Sequence, residues 1–171
     1  MRLKIIIAGL LTGLIAFAPL TAMADEKATI RFILTGDLYE LNANNGRGGY
    51  AKLASVAKIY KKKTKSGIHS FLVHAGDAYS PSLLSAMDKG KSAVVMLNAV
   101  GVDYMVLGNH EWDFGPEIAR KRIWESNFPV LASNAIDIDG LPIDGTVRTA
   151  MVQVGPFRVG IMGLITPKTK V

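Results

Sequence analysis

Short apolar runs alternate with segments of helical periodicity along most of the chain. Residues 29–34 form a β-branched, apolar run that leads into Thr35-Gly36-Asp37, which predicts a buried strand followed by a loop. Apolar positions then recur at helical spacing from Tyr50 to Tyr60, and Gly67 marks the end of this helix. The same alternation predicts strands at 70–74, 103–107, 129–133, 149–154 and 157–165, a helical region from Ser80-Pro81 that is clearest at 93–100, and a helix at 115–124.

The order of these elements predicts an α/β fold. Strands that alternate with helices favour a mainly parallel sheet, because parallel neighbours need crossover connections. Apolar strands of this kind need cover on both sides, so we expect helices on both faces of the sheet. We find no internal repeat and no linker, which indicates one domain.

The amino terminus has the pattern of a secretion signal. Arg2 and Lys4 precede an uncharged run over residues 5–20, and Ala22-Met23-Ala24 has the small-x-small form of a signal-peptidase site. We therefore predict a signal peptide at residues 1–24 and a periplasmic chain over 25–171. Pro19 interrupts the run, which is shorter than the roughly 20 residues of a membrane-spanning helix, so no stable membrane anchor is expected.

Composition limits the chemistry that remains. The chain has 20 Lys and Arg, 14 Asp and Glu, three His and no Cys. Disulfides, thiolate ligands, thiol nucleophiles and a lipid-modified amino-terminal cysteine are excluded. The lysines at 61–65 follow a predicted helix, where cations complement the helix dipole, so we interpret them as a solvated face and expect no nucleic acid polymer as partner.

Polar residues follow three predicted strands where each one ends. These are Asp37, Asp77 and the pair Asn109-His110, each of them close to a glycine. Any one alone is better explained as a turn residue or helix cap, but parallel strands bring all three to one sheet edge, where ligands bind. Oxygen and imidazole ligands suit Mg, Mn, Zn or Fe, and a carboxylate can bridge two cations roughly 3.5–4 Å apart. The sequence therefore favours hydrolysis of a phosphate ester.

Four segments resemble one known family. Residues 108–115 read GNHEWDFG, which is similar to the G-N-H-E-x-D-x-G signature of the secreted 5′-nucleotidases, a branch of the calcineurin-like dinuclear metallophosphoesterases. Residues 75–77 (AGD), 48–53 (GGYAKL) and 128–134 (FPVLASN) resemble further blocks of that family. The resemblance implies a partial calcineurin-like metallophosphoesterase fold over essentially the whole mature chain.

The resemblance also implies roles for individual residues. Asp37 would bind the first metal, Asp77 would bridge two divalent ions (Mn, Zn, Mg or Fe), and Asn109 would bind the second. His110, paired with Asp113, would stabilise the transition state and protonate the leaving group. The implied substrate is a nucleotide or another phosphoester, opened by in-line attack.

Two features depart from the family pattern. The first block normally reads Asp-x-His, whereas here Tyr39 follows Asp37-Leu38; its phenol is either a phenolate ligand or a non-ligating wall of the site. The later histidine blocks and the carboxy-terminal nucleotidase domain do not occur before Val171. The alternatives to a hydrolase are therefore a truncated or degenerate member that binds metal or phosphate without turnover, and a non-catalytic remnant. We expect little or no phosphatase activity from these 171 residues alone.

Overall fold

The computed structural model describes residues 27–62 and 68–169. The predicted signal peptide lies outside these residues. Four parallel strands form one sheet in the order β1-β2-β3-β4, and two antiparallel strands form a separate hairpin, so the predicted α/β class is confirmed. The strands are β1 (Thr29–Thr35), β2 (Ile68–His74), β3 (Tyr104–Val106), β4 (Val130–Leu131), β5 (Thr149–Val154) and β6 (Phe157–Met162), and the helices are α1 (Tyr50–Lys62), α2 (Leu83–Asp88), α3 (Lys91–Val100) and α4 (Pro116–Glu125).

The helices bury one face of the sheet. Helices α1 and α4 both contact α3. Leu72 of β2 and Met105 of β3 are fully buried in the core cluster that these helices share with the sheet. Such burial of apolar side chains stabilises the layered arrangement. The strand ends that carry the polar residues are thereby held at one edge.

The opposite face of the sheet is covered differently from the prediction. Phe32 and Leu34 of β1 are exposed there, by 51% and 69%. Near β4, Gly163 packs against Val106 and Leu131 so closely that a Cβ atom at Gly163 would lie 2.7 Å from Cβ of Leu131. Helices therefore cover one face of the sheet, and the segment after β6 covers part of the other.

Several element ends differ from the pattern-based ones. The helical region expected from Ser80-Pro81 begins at Leu83, because Ser82 caps α2 through reciprocal hydrogen bonds with Ser85. The strand expected over 157–165 ends at Met162. Beyond it, the Ser133 N–H donates to the Gly163 carbonyl at 2.8 Å, which ties the chain to the loop after β4.

Within the described ranges, no helix is both long and apolar enough to cross a membrane.

Candidate active site

The loops after β1, β2 and β3 meet at the carboxyl edge of the parallel sheet. The backbone N–H of Asp37 donates to the Gly76 carbonyl at 3.2 Å, which joins the first two loops. The backbone N–H of His110 donates to Oδ1 of Asp77 at 2.9 Å, which joins the second to the third. The exposed residue Asn109 directly precedes this contact. The structure thus brings the sequence-predicted loops together.

Both strand-end aspartates have a left-handed backbone. The φ angle is +51° at Asp37 and +58° at Asp77, a region that non-glycine residues rarely adopt. Strained backbone of this kind persists only where its surroundings hold it. At the third loop, any Cβ atom on Gly108 would collide with Oδ1 of Asp77, so only glycine permits the close approach of the second and third loops.

Tyr39 lies between the first and third loops. Its hydroxyl donates to Oδ1 of Asp37 at 2.8 Å, and its ring meets the His110 ring edge-on at 6.2 Å between centroids. Partial burial and the bond to Asp37 raise the pKa of the Tyr39 phenol, and the charges of Asp77 and Glu111 add to the rise. Without a metal ion the phenol is therefore neutral, and in this state it acts as a hydrogen-bond donor to Asp37.

His110 forms a pair with Asp113. Nδ1 of His110 lies 2.7 Å from Oδ2 of Asp113, and the Ser80 hydroxyl donates to the same oxygen at 2.7 Å. The bond to Asp113 raises the pKa of His110, against a smaller opposing effect of burial. Partial burial alone would raise the pKa of Asp113, but the bonds from Ser80 and His110 lower it. The protonated imidazole and the ionised carboxylate therefore stabilise each other.

His74, at the end of β2, is completely buried. Its Nδ1 accepts the backbone N–H of Gly76 at 3.2 Å, while its Nε2 has no hydrogen-bond partner among residues 27–62 and 68–169. Burial lowers the pKa of His74 to about 4, and the charge of Asp37 opposes this only in part. His74 is therefore neutral and supports the backbone that leads to Asp77.

An open cleft of about 660 Å³ lies beside the first loop. Its lining includes Asp37 and Tyr39, together with Arg47 and the glycines before α1. The Arg47 guanidinium has no hydrogen bond or ion pair with any described residue. The cleft therefore contains both a cationic group and a carboxylate, next to the strand-end loops.

The donor set suits hard divalent cations in part. One carboxylate oxygen of Asp37 and one of Asp77 have no hydrogen-bond partner in the described part of the chain, and the Asn109 residue is exposed beside them. Oxygen donors of this type are those that Mg²⁺ and Mn²⁺ prefer. No group of three or more His, Cys, Asp and Glu residues lies close enough to hold a metal ion within the same ranges. Asp37, Asp77 and Asn109 accordingly offer oxygen donors at this edge without forming such a group.

Residues 30–159 match the family model for calcineurin-like phosphoesterases. The chain belongs to the calcineurin-like phosphoesterase family. It is 34% identical over 137 residues to a 5′-nucleotidase of Bos taurus and 32% identical over 125 residues to a probable 5′-nucleotidase of Treponema pallidum (strain Nichols). It also resembles the solved structure of NAD nucleotidase (NadN) from Haemophilus influenzae, with a TM-score of 0.68 and 26% identity over 80% of this chain.

This calcineurin-like phosphoesterase chain is short beside its relatives. The two alignments cover 75% and 72% of it but only 23% and 21% of the bovine and treponemal proteins. The alignment to the NAD nucleotidase covers 29% of that structure. The chain therefore spans roughly a quarter of the length of the proteins that it matches.

Two residues that contact the candidate site have no role assigned from the sequence. Ser80 was assigned only to the start of a helical region, yet its hydroxyl donates to Asp113. Glu111 lies within the G-N-H-E signature but received no role, yet it is completely buried and accepts four backbone N–H groups. Burial raises the pKa of Glu111, and these four donors oppose the rise. The position of Glu111 directly after His110 is the sequence signal that could have indicated its role.

Proposed function

We propose that this chain is the N-terminal part, residues 25–171, of a metal-dependent phosphoester hydrolase of 5′-nucleotidase type. The observation that carries the proposal is the meeting of Asp37, Asp77 and the His110–Asp113 pair at one edge of a parallel sheet. Membership of the phosphoesterase family and the names of the relatives support the reaction class. The substrate is a nucleotide or a related phosphate ester.

Asp37, Asp77 and Asn109 would hold divalent metal ions, with Asp77 shared between two. When bound, such ions stabilise negative charge on phosphoryl oxygens and provide a nucleophilic water at neutral pH. Tyr39 keeps a hydrogen bond on Oδ1 of Asp37, which leaves the other oxygen of this carboxylate for a cation. The identity of the metal is proposed only as Mn, Zn, Mg or Fe.

His110 would act as the general acid. Asp113 holds Nδ1, so Nε2 is the atom that can carry a proton to the leaving oxygen of the ester. The hydrogen bond from Ser80 holds the Asp113 carboxylate in the orientation that accepts from His110. Orientation by a carboxylate and a raised pKa are both features that a general acid at neutral pH needs.

Phosphate release from a nucleoside 5′-monophosphate tests this function. Because the chain spans only part of its relatives, it is assayed alone and as a fusion. In the fusion, the chain replaces the corresponding segment of a homologous 5′-nucleotidase. We expect Mn²⁺-dependent release by the fusion, reduced roughly 10²–10⁴-fold by His110→Ala with little change in KM. The chain alone is expected to release little phosphate, because the described ligands fill only part of two coordination shells. Equal rates for the fusion with and without His110 would contradict the assignment.

A metal-binding module without turnover is the second candidate. The specific observation in its favour is the neutral Tyr39 phenol, which donates to Asp37 where the resembled family has a histidine. Thermal stabilisation by Mn²⁺ with no phosphate release from the fusion would identify it.

Export to the periplasm is part of the proposal and rests on residues 1–24. Mass analysis of the protein from the periplasmic fraction should give a chain that begins at Asp25. A membrane-bound chain that retains Met1 would contradict it.

A further inference from the structure

Glu111 accepts hydrogen bonds from two separate loops although it is completely buried. Its Oε1 accepts the N–H groups of Ala78 at 2.7 Å and Tyr79 at 3.2 Å. Its Oε2 accepts the N–H groups of Asp77 at 2.9 Å and Gly108 at 2.6 Å. Three of the four donors are consecutive residues of the loop after β2, and the fourth lies in the loop after β3.

This arrangement holds the backbone of the second loop in an otherwise unfavourable shape. Successive N–H groups that converge on one anion form a nest, and hydrogen bonds to an ionised carboxylate are stronger than neutral ones. Asp77 lies within this nest with φ at +58°. The hydrogen bonds to the buried Glu111 carboxylate therefore offset part of the backbone strain at Asp77.

The same side chain also determines how the second loop meets the third. Glu111 directly follows His110, whose N–H donates to Oδ1 of Asp77 at 2.9 Å. The Asp77 backbone is thus bound to Glu111, and the Asp77 carboxylate is bound to the neighbouring residue of the same short 3₁₀ helix. The backbone N–H and the side-chain carboxylate of Asp77 are therefore both held by the two-residue segment His110-Glu111.

We propose that Glu111 is a positioning residue, which fixes the Asp77 carboxylate relative to His110 and so sets the place where the metal ions bind. The expected effect on metal binding rests on the proposed function. The position of Asp77 relative to His110 is a property of the fold, with or without a metal ion. Glu111 touches neither substrate nor metal in this account.

Glu111→Gln tests the proposal with almost no change in volume. An amide has one acceptor oxygen and one NH₂ donor group, so whichever way it turns, two of the four backbone N–H groups face another donor. Glu117→Gln is the matched control, because it makes the same chemical change at an exposed glutamate in the first turn of α4. Wild type and both variants are compared as the full chain.

Two quantities are measured on these proteins, amide hydrogen exchange and Mn²⁺ affinity. In Glu111→Gln we expect exchange to rise at least about tenfold at residues 77–79, Gly108 and His110. Exchange should stay near wild type at Ile165, whose N–H donates to Asn134 far along the chain. Mn²⁺ should bind about 10–100-fold more weakly, as when an outer partner of a metal ligand is removed. Glu117→Gln should match wild type in both measurements.

Three results would overturn the proposal. Unchanged exchange at 77–79 would show that Glu111 does not hold the loop, and a uniform rise that includes Ile165 would indicate general destabilisation. Wild-type Mn²⁺ affinity with a loosened loop would make Glu111 structural only. If Glu111→Gln does not fold, Glu111→Asp takes its place, because it keeps the negative charge on a side chain that is one methylene group shorter. Hydrogen exchange must then rise at one or more of the same amides. A wild-type protein that binds no Mn²⁺ would defeat the proposed function, and the exchange comparison would still decide whether Glu111 fixes Asp77.

Discussion

His110 and Asp113 are joined by a hydrogen bond of 2.7 Å between Nδ1 and Oδ2, within a single turn that follows β3. The spacing of three residues places both side chains on the same side of this turn. Ser80, from the neighbouring loop, binds the same carboxylate oxygen. The pair is therefore oriented by contacts within its own loop and by one contact from outside it.

The first prediction concerns the protonation of His110. The bond to Asp113 raises the pKa of His110, so the imidazolium persists to higher pH than that of an ordinary histidine. Asp113→Asn removes the negative charge, and we expect the pKa of His110 to fall in that variant. Titration of the His110 ring protons by NMR measures this, with Asp139→Asn, at an exposed aspartate far along the chain, as the control. A pKa that is the same in Asp113→Asn and wild type would contradict the pairing.

The second prediction concerns stability against pH. Burial lowers the pKa of His74 from 6.5 to about 4, so between these values the unfolded chain binds a proton that the folded chain does not. The free energy of unfolding should therefore fall as pH decreases through this range, by about 2 kcal/mol from this group at pH 5 relative to pH 8.

His74→Asn isolates that effect. Its amide oxygen can accept the Gly76 N–H in place of Nδ1, and it does not titrate. Urea unfolding at pH 8 and pH 5 should show a loss of stability that is about 2 kcal/mol smaller in His74→Asn than in wild type. An equal loss in both proteins would mean that His74 is protonated in the folded state.

The third prediction separates the two roles considered for Tyr39. As a hydrogen-bond donor to Asp37 the phenol is an outer partner of a ligand, so Tyr39→Phe should weaken Mn²⁺ binding by no more than about 100-fold. Calorimetric titration of wild type and Tyr39→Phe measures the difference. A larger loss of affinity would favour the phenolate ligand instead.

Most of the sheet could be predicted from the sequence because its signals are local. The apolar run before Asp37 and the helical spacing after Tyr50 each depend on neighbouring residues, and β1 and α1 begin close to the predicted positions. The end of β6 could not be predicted in this way. It depends on the contact of Gly163 with Leu131, which lies more than 30 residues earlier.

In the candidate site, too, some features follow from neighbouring residues and others depend on contacts between distant parts of the chain. Glycines beside Asp37, Asp77 and Asn109 indicated where the strands end and turn, which sufficed to expect these residues at one edge. The partner of each side chain depends on how the loops meet in space. The burial of Glu111 under the loop of residues 77–79, and the bond from Ser80 to Asp113, join residues more than 30 positions apart and leave no periodic signal.

Divalent metal binding through Asp77 is the most direct test of the account. Asp77→Asn keeps an oxygen that can accept the His110 N–H but removes the charge that two cations would share. Calorimetric titration with Mn²⁺ should give binding to the wild-type chain that weakens about tenfold or more in Asp77→Asn and is unchanged in Asp139→Asn. Equal Mn²⁺ affinity in wild type and Asp77→Asn would contradict the central claim that the carboxylate after β2 holds the metal ions.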